Sequence, residues 1–208
     1  MAFGRPNPEH PKVAAPFYDL MELSAARRYS NVSSVLELSG ASQVVDVGGG
    51  EGSLLVQVLK ENPHLKGILF DLPVVSGRAR ERITTAGFVN RCEIIAGDFR
   101  ERVPSGGDVY ILAQILNNWR DADARIILSN CRTAMRPGAR LLVLEAIFSP
   151  GPLSRWRTLV SLGVMAQRGG RTRSESQLRT LIANSGFRID SIQRLPESET
   201  YAVNAEAV

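Results

Sequence analysis

Residues 42–53 read Ser-Gln-Val-Val-Asp-Val-Gly-Gly-Gly-Glu-Gly-Ser, and this stretch limits the fold more tightly than any other. Val44, Val45 and Val47 make a short, nearly continuous apolar run, as expected of a strand buried on both faces. The run stops at a glycine cluster. Ser53 then opens a segment in which Leu54, Leu55, Val58 and Leu59 share one helical face. Strand, glycine turn and helix start together form a device for holding a nucleotide-like ligand. Glycines let the backbone approach the ligand, and the helix N-terminus offers free N–H groups. A glycine-rich turn with no ligand is the plainer reading of the same letters.

The spacing bears on which ligand. A dinucleotide fingerprint needs Gly-x-Gly-x-x-Gly, and with Gly48 and Gly50 as its first two members the third falls on Ser53. The pattern here is instead Asp46-x-Gly48-x-Gly50-x-Gly52. It resembles the S-adenosylmethionine (SAM) loop of class I methyltransferases. An acid at the strand end can face a cationic amino-acid ligand, which it could not do well beside a pyrophosphate.

A chain of 208 residues that is 44% hydrophobic can bury one good core, so one domain is expected. The net charge of +4 is mild for this length. Arginines are scattered, densest at Arg155, Arg157, Arg168, Arg171 and Arg173, without a basic stripe interleaved with aromatics. Nucleic acid is therefore not the expected partner. A solvated face or an acidic small-molecule substrate suits them better. Cys92 and Cys131 stand alone in apolar surroundings and read as reduced core residues. The N-terminal stretch is proline-rich and polar, with no apolar signal segment, and no run approaches membrane-spanning length. The expectation is a soluble, cytoplasmic chain.

Pro6, Pro8, Pro11 and Pro16 predict an irregular arm. Short helices are expected over Phe17–Ala26 and near Val32–Leu38, ending at Gly40. Gly67–Phe70 reads as a second strand ending at Asp71-Leu72-Pro73. An acid there, about 20 residues past the glycines, suits a ribose diol. Residues 74–86 look helical, and Cys92–Ala96 forms a third strand ending at Gly97-Asp98-Phe99. Asp98 can accept from an adenine amino group, and Phe99 offers a ring to stack on. A fourth strand, Val109–Leu116, runs into Asn117-Asn118-Trp119. Asp121 is expected to cap a helix that turns Ile126, Ile127, Cys131, Ala134 and Met135 inward and stops at Pro137-Gly138. Arg140–Ile147 reads as a fifth strand and residues 153–168 as a helix. Ser174-x-x-Gln177 has capping-box form before Leu178, Leu181 and Ile182, and Gly186 ends that helix. Phe187–Leu195 and Thr200–Ala207 are joined by a tight turn, so they pair antiparallel. The sum is an α/β, doubly wound, Rossmann-like seven-stranded sheet with a reversed last strand.

With these motifs in order, residues 17–207 resemble the small-molecule O-methyltransferases of the caffeate and anthracycline type. The resemblance rests on Val-Val-Asp-Val-Gly-Gly-Gly-Glu-Gly, Phe70-Asp71-Leu72-Pro73, Gly97-Asp98-Phe99, Asp108-Val-Tyr110, Leu116-Asn-Asn-Trp119, Arg136-Pro-Gly138, Glu145, Gly169-Gly170 and Ser185-Gly186-Phe187. It implies SAM or S-adenosylhomocysteine binding by Asp46, Gly48, Gly50, Gly52, Asp71, Leu72, Asp98, Phe99 and Trp119. It also implies residues 1–40 as an arm with short helices and 41–208 as the SAM-binding domain. The family's N-terminal dimerisation domain is expected to be absent. Helices at 12–39 would then dock onto a partner, giving a homodimer or a heteromer with a chain that supplies the cover.

The departures concern the chemistry. Family members that deprotonate a phenol usually have His-Asp-Trp where this chain has Asn117-Asn118-Trp119. Asparagine cannot accept a proton at neutral pH, so Asn117 is no general base. The two histidines, His10 and His64, lie in the proline arm and in a turn. The family's Gly-Gly-x-Glu-Arg-Thr is Gly169-Gly170-Arg171-Thr172-Arg173-Ser174, so a second carboxylate is replaced by Thr172, and a common lysine is Ala113. Of the acid–base cluster only Glu145 remains. Asn117, Asn118 and Glu145 are the candidate catalytic residues, Asn117 and Asn118 as orienting groups or as a plain helix-entry turn. Positioning alone can supply roughly 7–11 kcal/mol at best.

Three readings follow. The leading one is SAM-dependent methyl transfer to oxygen on a small aromatic or polyketide-type metabolite, with Trp119 and Met165 shaping the pocket. The second is a SAM-binding protein that performs cyclisation, hydroxylation or decarboxylation. The third is a non-catalytic partner subunit.

Overall fold

The valine-rich run forms β1 (Gln43–Val47), and its alternation assigns its side chains to two separate core layers. Val45 and Val47 point into one layer and Val44 and Asp46 toward the other, because successive strand residues face opposite ways. The structure, a computed structural model, describes residues 29, 32, 35, 36, 38–148, 170–196 and 198–208.

After β1 come α1 (Ser53–Glu61), β2 (Lys66–Asp71), α2 (Ser76–Thr85), β3 (Cys92–Ala96) and β4 (Val109–Ala113). They are followed by α3 (Asp121–Ala134), β5 (Arg140–Ala146), α4 (Glu175–Ala183), β6 (Phe187–Arg194) and β7 (Thr200–Ala207). The seven strands form one sheet in the order β3-β2-β1-β4-β5-β7-β6. β1 pairs in parallel with both β2 and β4, so the strand order reverses there and opens a crevice at the carboxyl ends of the strands. β7 inserts between β5 and β6 and runs antiparallel to both. The reversed last strand is thus present, placed inside the sheet next to an edge formed by β6.

Two apolar layers cover the sheet. Leu54, Leu55, Val58 and Leu59 of α1, with Ala79 and Ile83 of α2, pack against Val44, Leu69 and Ile111. On the other side Ala124, Ile127, Leu128 and Cys131 of α3, with Leu178, Leu181 and Ile182 of α4, pack against Val45, Phe70, Tyr110 and Leu112. Cys92 and Cys131 are free and buried, and burial pushes both thiols up to about 12. Ser174 accepts the Gln177 N–H and the Gln177 side chain reaches back to the Ser174 N–H, completing the capping box before α4.

Several expectations change in detail. β4 stops at Ala113 rather than Leu116, because Gln114 takes φ +54° and leaves the extended conformation, and residues 116–118 form a turn of 3₁₀-helix. β5 ends at Ala146 and β6 at Arg194. Arg120, not Asp121, occupies the N-cap of α3, and Asp121 lies in the first turn with its carboxyl turned to two arginines. Ile126 faces outward at 47% exposure, and Leu128 takes the inward position. The Val32 N–H donates to Tyr29 O and the Val35 N–H to Val32 O, with Val32, Val35 and Leu38 buried, while residues 33, 34 and 37 of the helix expected near Val32–Leu38 lie outside the described residues. The expected helices at 17–26 and 153–168, with Met165 and Gly169, lie outside the described residues. No helix among the described residues is long and apolar enough to cross a membrane.

Candidate functional site

The glycine loop sits where β1 delivers it, at the reversal of strand order. Gly48, Gly50 and Gly52 all take positive φ, at 75°, 60° and 89°. Those angles are easy for glycine alone, and Gly52 uses its own to start α1 as the N-cap. At Gly50 a side chain would meet nothing within 4 Å, so this part of the loop borders open space. Across the loop, Asp71 at the end of β2 accepts the Gly50 N–H through Oδ2 at 2.8 Å and the Leu72 N–H through Oδ1 at 2.7 Å. These two backbone donors fix the orientation of the Asp71 carboxylate, whose oxygens can only accept. Glu51 of the same loop is tied to α2 by Arg78 at 2.7 Å and Arg82 at 3.4 Å.

Asp46 lies beneath this cradle rather than on its surface. Its residue is fully buried, and a Cβ at Gly49 would come within 2.4 Å of Asp46 Oδ2. Neither carboxyl oxygen has a hydrogen-bond partner among the described residues. Burial, and secondarily the Asp71 charge, push the Asp46 carboxyl up to about 7. The expectation that Asp46 faces the ligand directly is corrected: its side chain reaches the cradle only through the loop above it.

β3 supplies the far wall. Asp98 receives the Arg100 guanidinium in a two-pronged contact, Nη2 at 2.5 Å from Oδ2 and Nε at 3.1 Å from Oδ1. Arg100 also lies over the Trp119 ring, 5.0 Å from its centroid, and Trp119 meets Phe99 edge-on at 5.8 Å and 87°. A Cβ at Gly48 would lie 3.1 Å from Phe99 Cε1, which sets the ring beside the loop. The structure therefore brings Phe99, Trp119 and the glycine loop together, with Asp98 held at their edge by Arg100.

The turn after β4 carries Asn117 and Asn118. Glu145, only 2% exposed on β5, accepts the Asn117 N–H through Oε1 at 3.3 Å. Gly170 packs on this turn so closely that a Cβ there would lie 2.2 Å from the Asn117 carbonyl oxygen. Arg173, 3% exposed, donates to Leu116 O at 2.7 Å, Trp119 O at 2.9 Å and Asp121 Oδ1 at 2.8 Å. Burial alone would raise the Asp121 carboxyl, but Arg173 and Arg171 more than offset this and hold it below its ordinary value.

The structure also places Gln114, Arg100 and Arg173 at this site, none of which is among the site residues expected from sequence. The two-residue spacing from Asp98 was the available signal for Arg100, and an arginine beside a close-packing glycine was the signal for Arg173. Nothing in its neighbours marks Gln114.

A glycine cradle at the switch point of a parallel sheet, with β7 inserted antiparallel, defines the methyltransferase class of α/β folds. The model of the O-methyltransferase domain family matches residues 2–188. The chain belongs to that family. It is 38% identical over 182 residues to a mitomycin biosynthesis 6-O-methyltransferase of Streptomyces lavendulae, covering 88% of this chain and 52% of that protein. It is 34% identical over 181 residues to the aclacinomycin 10-hydroxylase RdmB of Streptomyces purpurascens, covering 86% of this chain and 48% of that protein. Among solved structures, a neocarzinostatin-biosynthesis O-methyltransferase, in complex with SAM and 2-hydroxy-5-methyl naphthoic acid, superimposes with a TM-score of 0.87 at 29% identity. That match covers 96% of this chain and 59% of the other. The chain thus spans about half the length of the curated relatives it matches.

Proposed function

We propose that residues 41–208 bind SAM in the glycine cradle and that the protein methylates a hydroxyl oxygen of a small aromatic or polyketide-type metabolite. The observation that carries this reading is the Asp71–Gly50 tie across a loop that borders open space at Gly50. SAM, when bound, supplies an electrophilic sulfonium methyl group. Asp71, with Leu72, holds the ribose diol; Asp98 takes the adenine amino group; Phe99 and Trp119 flank the base. Gly48, Gly50 and Gly52 let the backbone follow the ligand, and buried Asp46 opposes its positive charge from below.

No described side chain at the acceptor turn is a histidine, and the amides of Asn117 and Asn118 take no proton at neutral pH. Their work is positioning. Glu145 holds the Asn117 backbone, Gly170 seats the turn, and Arg173 fixes its two ends. An acceptor oxygen positioned there would take up the methyl group that bound SAM supplies, and its proton would pass to water. Free, unreactive Cys92 and Cys131 suit a reducing cytoplasm.

The similarity to a hydroxylase keeps one other reading open to measurement, in which the bound SAM loses no methyl group. Calorimetric titration with SAM and S-adenosylhomocysteine, followed by a screen of hydroxynaphthoic acids for S-adenosylhomocysteine release, tests both. Micromolar binding with release of S-adenosylhomocysteine and a methylated product supports the proposal. Binding and turnover without release favour the second reading, and no binding of either nucleoside defeats the proposal.

A further inference from the structure

The carbonyl oxygen of Leu144, on β5, can only accept hydrogen bonds. It receives the Gln114 backbone N–H at 2.8 Å and the Gln114 side-chain Nε2 at 3.3 Å. The Gln114 amide therefore faces Leu144 with its NH2 group and must turn Oε1 the other way. Asn117 Nδ2 donates to that Oε1 at 2.8 Å. Asn117 has then committed its NH2 group toward Gln114, and its Oδ1 points away. That oxygen is buried and accepts no hydrogen bond among the described residues. Amide orientations are ordinarily ambiguous, but here each is dictated by the one before it, starting from a group that cannot donate. The neighbouring amide also turns an N–H toward this residue, since Asn118 Nδ2 donates to Gln114 O at 2.7 Å. Gln114 adopts a left-handed backbone at φ +54°, the sole non-glycine residue to do so among the described residues. Such outliers persist where the surroundings over-determine them, often at functional sites.

We propose that Gln114 is a positioning residue that sets the polarity of Asn117, so that the acceptor turn presents the Asn117 side-chain oxygen to the incoming group. The substrate class follows: a neutral hydroxyl that donates its own hydrogen bond, in preference to a phenolate or an ether. This rests on the methyl-transfer reading above and adds to it the protonation state of the acceptor.

The test uses the full chain and two variants. Gln114→Met keeps an unbranched side chain of similar length and the same backbone cost while removing the amide. Gln114→Glu removes the NH2 group but keeps an oxygen for Asn117 Nδ2. The first readout needs no substrate. In 15N-labelled protein, the Asn117 side-chain NH2 resonances, assigned by their loss in Asn117→Leu, should exchange about tenfold faster in Gln114→Met than in wild type. The second is calorimetric binding of a hydroxynaphthoic acid and its methyl ether with S-adenosylhomocysteine present. Wild type should favour the hydroxyl form by about tenfold, the worth of one good hydrogen bond. Gln114→Met should bring the pair to near equality with unchanged S-adenosylhomocysteine affinity. Gln114→Glu should keep the discrimination that Gln114→Met loses, because its carboxyl accepts from Asn117 Nδ2 in either protonation state, a rescue by the conservative variant that a merely structural role would not produce. If Gln114→Met fails to fold, Gln114→Glu decides: retained discrimination supports the inference and lost discrimination overturns it. Unchanged NH2 exchange in a folded Gln114→Met, or equal binding of hydroxyl and ether by wild type, overturns the inference. If S-adenosylhomocysteine binds and only the discrimination is missing, the methyl-transfer reading survives. If the nucleoside does not bind at all, both fall.

Discussion

Replacing Asp46 by asparagine should change how stability depends on pH more than it changes stability at any one pH. The Asp46 carboxyl is completely buried, lacks hydrogen-bond partners among the described residues and faces the Asp71 charge. Its value rises from 3.8 to about 7, so the native state holds a proton that the unfolded chain releases above its ordinary carboxylate range. With the folded value raised, stability is greatest at low pH. It falls as pH climbs from about 4 to about 7 and levels off above that. The slope is about 1.4 kcal/mol per pH unit, or roughly 3 kcal/mol between about pH 5 and pH 8.

Asparagine has the same shape and no proton to lose. The other titrating groups are common to both proteins, so the difference in unfolding free energy isolates Asp46 and its coupling to Asp71. Urea unfolding of wild type and Asp46→Asn at several pH values supplies that difference. Wild type should lose ground on the variant steadily from pH 5 to 7 and then hold a constant gap. A buried amide without partners costs about 1–3 kcal/mol, but that cost does not vary with pH. A flat difference across the range would refute the reasoning, since it would mean that Asp46 is solvated or paired in the native state. Saturating SAM should narrow the gap at pH 8, because a positive ligand above the carboxyl favours its ionised form.

Gly170→Ala should abolish turnover while leaving the fold largely intact: a Cβ there lies 2.2 Å from Asn117 O, and relieving it moves the acceptor turn. Thermal melting and S-adenosylhomocysteine release measured together check this. Arg173→Met should cost about 3 kcal/mol in urea unfolding, since it leaves Asp121 and the Leu116 and Trp119 carbonyls without their shared donor. Asp71→Asn should weaken SAM binding by roughly ten- to a hundredfold in calorimetry, because an amide sets an NH2 group against either the Gly50 or the Leu72 N–H.

The local pieces of this fold were legible because each is written in neighbouring residues. Val44–Val47 with the glycines and the α1 stripe specify strand, cradle and helix, and the Ser174–Gln177 box specifies the start of α4. The hairpin of β6 and β7 was equally plain. Its place was not, because insertion of β7 beside β5 depends on long-range pairs such as Leu144 with Ala202. Asp46 is a case in which the letters held more than was taken from them. Side chains alternate along a strand, so Asp46 must share the face of Val44, which α1 and α2 cover.

The acceptor turn lies beyond any such local rule. The end of β4 is set by a left-handed glutamine where glycine or asparagine would have announced the break. The direction in which Asn117 points its oxygen begins at the Leu144 carbonyl, thirty positions along the chain from Gln114 and brought beside it by the β4–β5 register of Ala113 with Leu144. Asn117 and Asn118 could be singled out from sequence as residues where a base is wanting. What they offer in its place is decided by a chain of amide hydrogen bonds that exists only once two strands have paired. Sequence therefore identifies the chemistry that this turn lacks, and the fold supplies the polarity that it has.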